Sequence, residues 1–153
     1  EAFAMSRDDL SIRPIRPADR PDWDRLWTGY LTFYEATLPA STYDATFARL
    51  SSDDPTLKGL LALVAGRPVG LVHYLFHDHC WRPEGVTYLQ DLYADPAQRG
   101  TGVGRALIEA VYAAADAAGR PSVYWLTQEF NATARKLYDR IGKVTPFIKY
   151  NRS

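Results

Sequence analysis

The sequence predicts a mixed α/β (α+β) domain, a central sheet flanked by helices, and three observations carry that expectation. Apolar runs of strand character alternate with amphipathic runs of helical period along most of the chain. Gly66-Arg67-Pro68 joins two apolar runs in the manner of a hairpin, so part of the sheet is antiparallel. Gln98-Arg99-Gly100-Thr101-Gly102-Val103-Gly104 follows the apolar run Val86 to Tyr93 and opens an amphipathic run that reaches Ala118. That is the pattern of a strand, a glycine-rich loop and a helix N-terminus.

Ser11 to Arg16 reads as the first strand, with Ile12 and Ile15 as its apolar marks. Pro17 and Pro21 then punctuate a helix start, where Asp19 and Asp22 suit the N-terminal dipole. That helix is expected to run to about Thr37, with Trp23, Leu26, Trp27, Tyr30, Leu31 and Tyr34 on one apolar face, and Pro39 ends it. Ser41 with Asp44 three residues on resembles a capping box for a shorter helix to about Leu50. Leu57 to Ala65 and Val69 to Phe76 are the hairpin strands, and a polar loop, His77 to Gly85, leads into the strand Val86 to Tyr93. The next helix carries Val103, Leu107, Ile108, Val111, Tyr112 and Ala115 on one face, with Gly119 as its C-terminal glycine. Ser122 to Thr127 is a further strand, Asn131 can cap a helix to about Ile141 closed by Gly142, and Val144 to Tyr150 reads as a last strand.

With 153 residues the chain has the size of one domain with a full core, taken as residues 5–153. Glu1 to Ala4 read as a segment added ahead of Met5. No apolar run approaches the length that spans a membrane, and no secretory signal is visible, so no membrane partner is expected. The formal net charge is zero, which removes the broad electrostatic case for nucleic acid. A single cysteine, Cys80, precludes an internal disulfide and fits a reducing cytoplasm.

Glycines in such a loop let backbone approach a ligand, and a helix start offers free N–H groups to an anion, so the loop is expected to hold a phosphate or pyrophosphate. A P-loop would need a Gly-Lys-Ser/Thr ending, which is absent. A dinucleotide fold would need G-x-G-x-x-G straight after a strand, but here the spacing is G-x-G-x-G and Ala94 to Gln98 intervene.

Arg99-x-x-Gly102-x-Gly104 instead resembles the acyl-CoA signature of the GCN5-related N-acetyltransferase (GNAT) superfamily. Leu89-Gln90-Asp91-Leu92-Tyr93-Ala94 stands where that family has its central strand. Asn131, Ala134, Leu137, Tyr138 and Gly142 match the pattern of its next helix, and the element order agrees. Within the superfamily the chain looks most like the spermidine/spermine and thialysine acetyltransferases and the yeast histone and polyamine acetyltransferases. The resemblance implies a mixed, mostly antiparallel sheet in which two parallel strands splay apart and pantetheine lies in the gap.

Acetyl-CoA would then be the cosubstrate, with no metal. Backbone of Leu92 and Ala94, beside Tyr93, would pair with pantetheine, and the pyrophosphate would sit on Arg99, Gly100, Thr101, Gly102, Val103, Gly104 and Arg105. Tyr138 matches the family's general acid, and its position within the pattern favours that role over a core or stacking tyrosine on the apolar helix face. Polyamine enzymes carry Glu-Asp where this chain has Gln90-Asp91, and Gln90 cannot accept a proton. Successive strand residues face opposite sides, so Asp91 would not simply replace the missing acid. Candidates for a base or water relay are therefore Gln90, Asp91, Glu129 or a histidine, unless the amine loses its proton before binding. Asn131 is either a CoA contact or a cap, and Glu129 either draws a cationic substrate or is a helix-start charge. Glu35, His77, Trp81 and Glu129 are candidates for acceptor binding.

His73, His77 and His79 with Asp78 and Cys80 match no metal pattern of known mechanics, and substrate-lining or surface histidines explain them better. The resulting expectation is acetyl transfer to a primary amine of a polyamine, a lysine-like small molecule or a protein lysine, in a homodimer. An acyl-CoA-binding module without turnover is the reading from another class.

Overall fold

The computed structural model describes residues 9–153; the segment expected ahead of Met5 lies outside them. Five strands form one sheet in the order of the chain: β1 Leu10–Pro14, β2 Leu57–Val64, β3 Arg67–His79, β4 Arg82–Ala94 and β5 Val123–Tyr124. β1 to β4 are antiparallel neighbours, and only β4 and β5 run parallel. Helices α1 Arg20–Phe33 and α2 Ala40–Leu50 cover one face, while α3 Val103–Ala117 and α4 Ala132–Ile141 cover the other. Among the described residues no helix is long and apolar enough to cross a membrane.

The α1 face is packed around Trp23, Leu26 and Leu61, each fully buried. Trp23 stacks on Trp27 at 4.9 Å and meets Phe47 of α2 at 5.1 Å. On the other face Leu107, Ile108 and Val111 of α3 press on the sheet at Val72 and Leu89. Gly70 permits that closeness: a Cβ there would lie 3.0 Å from both the Tyr93 carbonyl and Val103 Cγ1. Gly119 adopts a φ of +72° past the end of α3, as expected of a C-terminal glycine.

Several boundaries differ from those the sequence suggests. The presumed loop His77 to Gly85 is an overhanging hairpin, with β3 continuing to His79 and β4 beginning at Arg82. Its polar residues face solvent, which an antiparallel ribbon tolerates, and Gly85 takes φ +85° against the His77 carbonyl. The Ser41 capping box does not form: Pro39 occupies the cap position, and Asp44 accepts from Arg20 at 2.7 Å. Asp19 is more than a dipole charge, since it holds Arg13 through bonds of 2.7 and 2.8 Å and accepts the Arg16 N–H.

The strand expected over Ser122 to Thr127 narrows to two paired residues, because β5 leaves β4 after Tyr124. Val144 to Tyr150 forms no strand. Pro146 supplies no N–H to a ladder, and Val144, Phe147, Ile148 and Tyr150 stand exposed. Gly142 is extended at φ −140°, so its smallness serves a close approach to Trp125, which a Cβ would meet at 2.7 Å.

Candidate active site

A bulge in β4 organises the site. His73 pairs with Asp91, yet the next residue, Tyr74, pairs with Leu89, so Gln90 is the extra residue. Backbone groups in a strand alternate in direction, and an inserted residue reverses that alternation. Thr87 N–H points to β5, where it bonds the Ser122 carbonyl at 2.9 Å. Beyond the bulge, Asp95 N–H bonds the Val69 carbonyl of β3 at 2.8 Å. Counting back from Asp95 by alternation, Tyr93 faces β3 while Leu92 and Ala94 aim their groups away from it, toward the side that β5 has vacated. The splay therefore leaves a strand edge with free hydrogen-bonding groups at the two residues the sequence singled out, while Tyr93 turns its ring onto α1 against Gly29.

Leu89, Gln90 and Leu92 form one wall of the gap, Trp125, Leu126 and Tyr138 another, and Tyr30 and Tyr34 of α1 close its end. Its free volume is about 20 Å³. A larger hollow of about 460 Å³ lies elsewhere, between the β1–α1 corner and the α2–β2 turn, lined by Arg16, Leu50, Lys58 and Tyr74. Strand edge and phenols converge on the smaller gap, and chemistry needs that convergence more than it needs volume.

Tyr138 sits with its ring centroid 5.6 Å from Trp125, edge to face. Burial, and next to it Tyr34, pushes its phenol up to about 12. It is thus a protonated donor throughout the neutral range. Tyr30 is pushed up further, by burial first and then by the Asp91 carboxylate, while burial and Asp91 also raise Tyr34. Asp91 therefore shares one side of the sheet with Tyr30, Tyr34 and Tyr88. Tyr88 in turn stacks on Tyr124 at 4.7 Å, and the Tyr124 hydroxyl bonds His77 Nε2 at 2.8 Å.

The glycine loop leads into α3 through backbone that only glycine adopts readily, with Gly100 at φ +79° and Gly102 at φ +90°. A Cβ at either would meet no atom within 4 Å, so the loop faces open space. The first turn of α3 begins at Val103, and its leading N–H groups have no intrahelical partner, as a pyrophosphate cradle requires. These features fit acyl-CoA. Thr101 turns its hydroxyl back to the Gln98 carbonyl at 2.5 Å, Arg105 is paired with Glu109 at 2.9 Å, and Arg99 lies 6.0 Å over the Phe33 ring.

Residues 23–142 match the acetyltransferase (GNAT) family. The chain belongs to that family. The D-amino-acid N-acetyltransferase HPA3 of Saccharomyces cerevisiae is 39% identical over 157 aligned positions, covering 100% of this chain and 96% of that protein. The GNAT fold is shared with the aminoglycoside acetyltransferase AAC(6')-Iy bound to a bisubstrate analogue, at 20% identity and a TM-score of 0.81, over 94% of this chain and 97% of the other. A ribosomal-protein-alanine N-acetyltransferase from Brucella melitensis biovar Abortus gives 18% identity and a TM-score of 0.78, over 94% and 98%. This GNAT chain is an N-acetyltransferase, an enzyme acting on an amine.

Other residues singled out in the sequence of this acetyltransferase are dispersed. Glu129 is exposed before α4 and lends its carbonyl to Arg135 at 2.7 Å, and Asn131 holds the cap position of α4 without a side-chain cap bond. Glu35 follows α1 at φ +55°, exposed, and Trp81 stands 84% exposed at the hairpin tip. Among the described residues no three His, Cys, Asp or Glu side chains are placed to hold a metal. Sequence reasoning missed Tyr30, Trp125 and Leu126 as wall residues. It also read His73 as a substrate-lining or surface histidine, whereas the structure buries it and sets it directly across from Asp91.

Proposed function

We propose that this enzyme transfers acetyl from acetyl-CoA to the primary amine of a small amino-acid acceptor by direct attack. The observation that carries this reading is the bulge at Gln90, which turns a free backbone edge toward the gap and the Asp91 carboxylate toward the tyrosines of α1 and β4. One short segment thereby serves both substrates from opposite sides. The acceptor side offers several phenols and one carboxylate, which suits a single ammonium better than a polycation. The 39% identity to a D-amino-acid N-acetyltransferase supports the same class.

A lysine-type ammonium near 10.4 lies about three units above neutral pH, so freeing its lone pair costs roughly 4 to 5 kcal/mol, and the more acidic α-ammonium of an amino acid costs less. Asp91 draws the ammonium by charge and receives its proton through water. The neutral nitrogen forms a bond to the thioester carbonyl carbon, the adduct nitrogen loses its second proton to solvent water, and the C–S bond then breaks. Tyr138 gives its proton to the departing sulfur and is reprotonated from solvent. Gln90, unable to take a proton, holds water or amine by its amide. Leu92 and Ala94 would bind the pantetheine amides, and the N–H groups from Arg99 to Gly104 the pyrophosphate.

A homodimer belongs to the same reading, supported by the exposed apolar side chains of Val144, Phe147, Ile148 and Tyr150. Incubation with acetyl-CoA and a mixture of D-amino acids, L-amino acids, spermidine and a lysine peptide, with products read by mass spectrometry, tests the acceptor class. N-acetylated amino acids are expected. Acetylspermidine or acetylated peptide alone would overturn the assignment.

A further inference from the structure

Asp91 reaches the acceptor side through a chain of buried hydrogen bonds that begins in the core. Trp23 Nε1 lies 3.0 Å from His73 Nε2, and His73 Nδ1 lies 2.8 Å from Asp91 Oδ2. An indole N–H only donates, so His73 Nε2 must accept. The ring proton of His73 is then on Nδ1, where it donates to the carboxylate. Trp23 is fully buried and His73 is 3% exposed, whereas the Asp91 side chain is 13% exposed. The chain thus runs from solvent-free core to the edge of the cleft. Its core end is fixed by Trp27, Phe47 and Tyr43 around the Trp23 ring. His73 also stands where the register shifts, directly opposite Asp91 and next to the bulge.

A buried histidine with both nitrogens satisfied is neither a free base nor a metal ligand. Its placement serves the carboxylate. We infer that His73, locked in one tautomer by Trp23, is a positioning residue that aims the Asp91 carboxylate at the acceptor amine. This rests on the acceptor role proposed for Asp91. The imidazole holds one oxygen of Asp91 and the Tyr30 hydroxyl also meets the carboxylate, so the ammonium, or the water that relays its proton, takes the lone pairs they leave. Turning the imidazole to the other tautomer would set a lone pair against the carboxylate and swing it out of line.

His73→Phe removes the donor at similar volume. It should lower kcat/KM for the amine about tenfold to a hundredfold, the range for a hydrogen bond to a charged group, with the dissociation constant for CoA unchanged. His73→Asn, whose amide can donate from the place of Nδ1, should recover part of the loss. In an Asp91→Asn background, His73→Phe should add less than about threefold, because the group it positions is already gone. Equal losses in both backgrounds would mean a purely structural histidine and would overturn the inference. If Asp91→Asn keeps full kcat/KM for the amine, the acceptor reading itself fails. If Asp91→Asn is impaired while His73→Phe is not, only the positioning role fails. Nitrogen-15 NMR of the unaltered protein needs no variant to fold: a proton on Nδ1 with bare Nε2 is expected, and the opposite tautomer would contradict the chain.

Discussion

Replacing Tyr138 by Phe removes one hydroxyl and leaves the ring against Trp125. A phenol at its ordinary 10.0 and a thiol near 8.5 differ by about 1.5 units, roughly 2 kcal/mol. Burial lifts the phenol to about 12, but it lifts the thiolate formed in the same gap as well. Moving the proton between them relocates one negative charge without creating another, so the gap stays near its value in water. That is a small cost beside releasing a bare thiolate into an apolar cleft. Tyr138→Phe should therefore lower kcat by about 100-fold or more, within the range of general acid catalysis. Acetyl-CoA affinity should change by less than about threefold, since the hydroxyl acts chiefly in the transition state. Thiol release measured with a chromogenic disulfide gives kcat, and calorimetry with CoA gives affinity. The deficit should also be constant from about pH 6 to 10, because a phenol raised to about 12 stays protonated across that window and loses its proton only above it. A kcat within about threefold of the parent, or a deficit that closes near pH 10, would refute the role.

Three other perturbations follow from the geometry. Gly102→Val places a side chain in the open space of the loop at φ +90°; folding should weaken by about 1 to 2 kcal/mol from left-handed strain, while calorimetry should show CoA binding lost. Asp19→Asn breaks the Arg13 pair and should cost about 1 to 3 kcal/mol at neutral pH by urea unfolding. Arg13 lowers the folded pKa of Asp19, so its contribution is full above the ordinary 3.8 and disappears as pH falls through the lower folded value; the two proteins should converge in strong acid. Gly59→Ala sets a Cβ 2.5 Å from Ile15 Cδ1 and 3.2 Å from Leu50 Cδ2 in a packed core, and should lower the melting temperature by the equivalent of about 1 to 3 kcal/mol.

What the sequence showed and what it hid have physical causes. The α3 face was legible because Val103, Leu107, Ile108 and Val111 keep one period on one helix, and the Gly66 hairpin because its turn residues sit between two continuous apolar strands. The long β3–β4 hairpin was hidden because its outer residues, His77 to Gly85, are polar on both faces and its turn, Cys80-Trp81, has no glycine or asparagine. Register across that hairpin was hidden with it. Asp91 was visible as an acid beside Gln90, but its pairing with His73 depends on a bulge that shifts register by one residue and leaves no mark in composition. Val144 to Tyr150 has strand-forming residues, yet a strand is defined by a partner, and β5 offers an edge only two residues long. Tyr138 and the glycine loop were legible through family pattern, while the tyrosine wall came only from the fold.

The central claim is direct transfer between an amine held at Asp91 and a thioester beside Tyr138. Initial rates of thiol release, with a D-amino acid varied at several fixed concentrations of acetyl-CoA, test it most directly. Release that requires the amine, with intersecting reciprocal plots that mark a ternary complex, is expected. Parallel plots would indicate a covalent acetyl-enzyme, and either that pattern or release independent of the amine would contradict the claim.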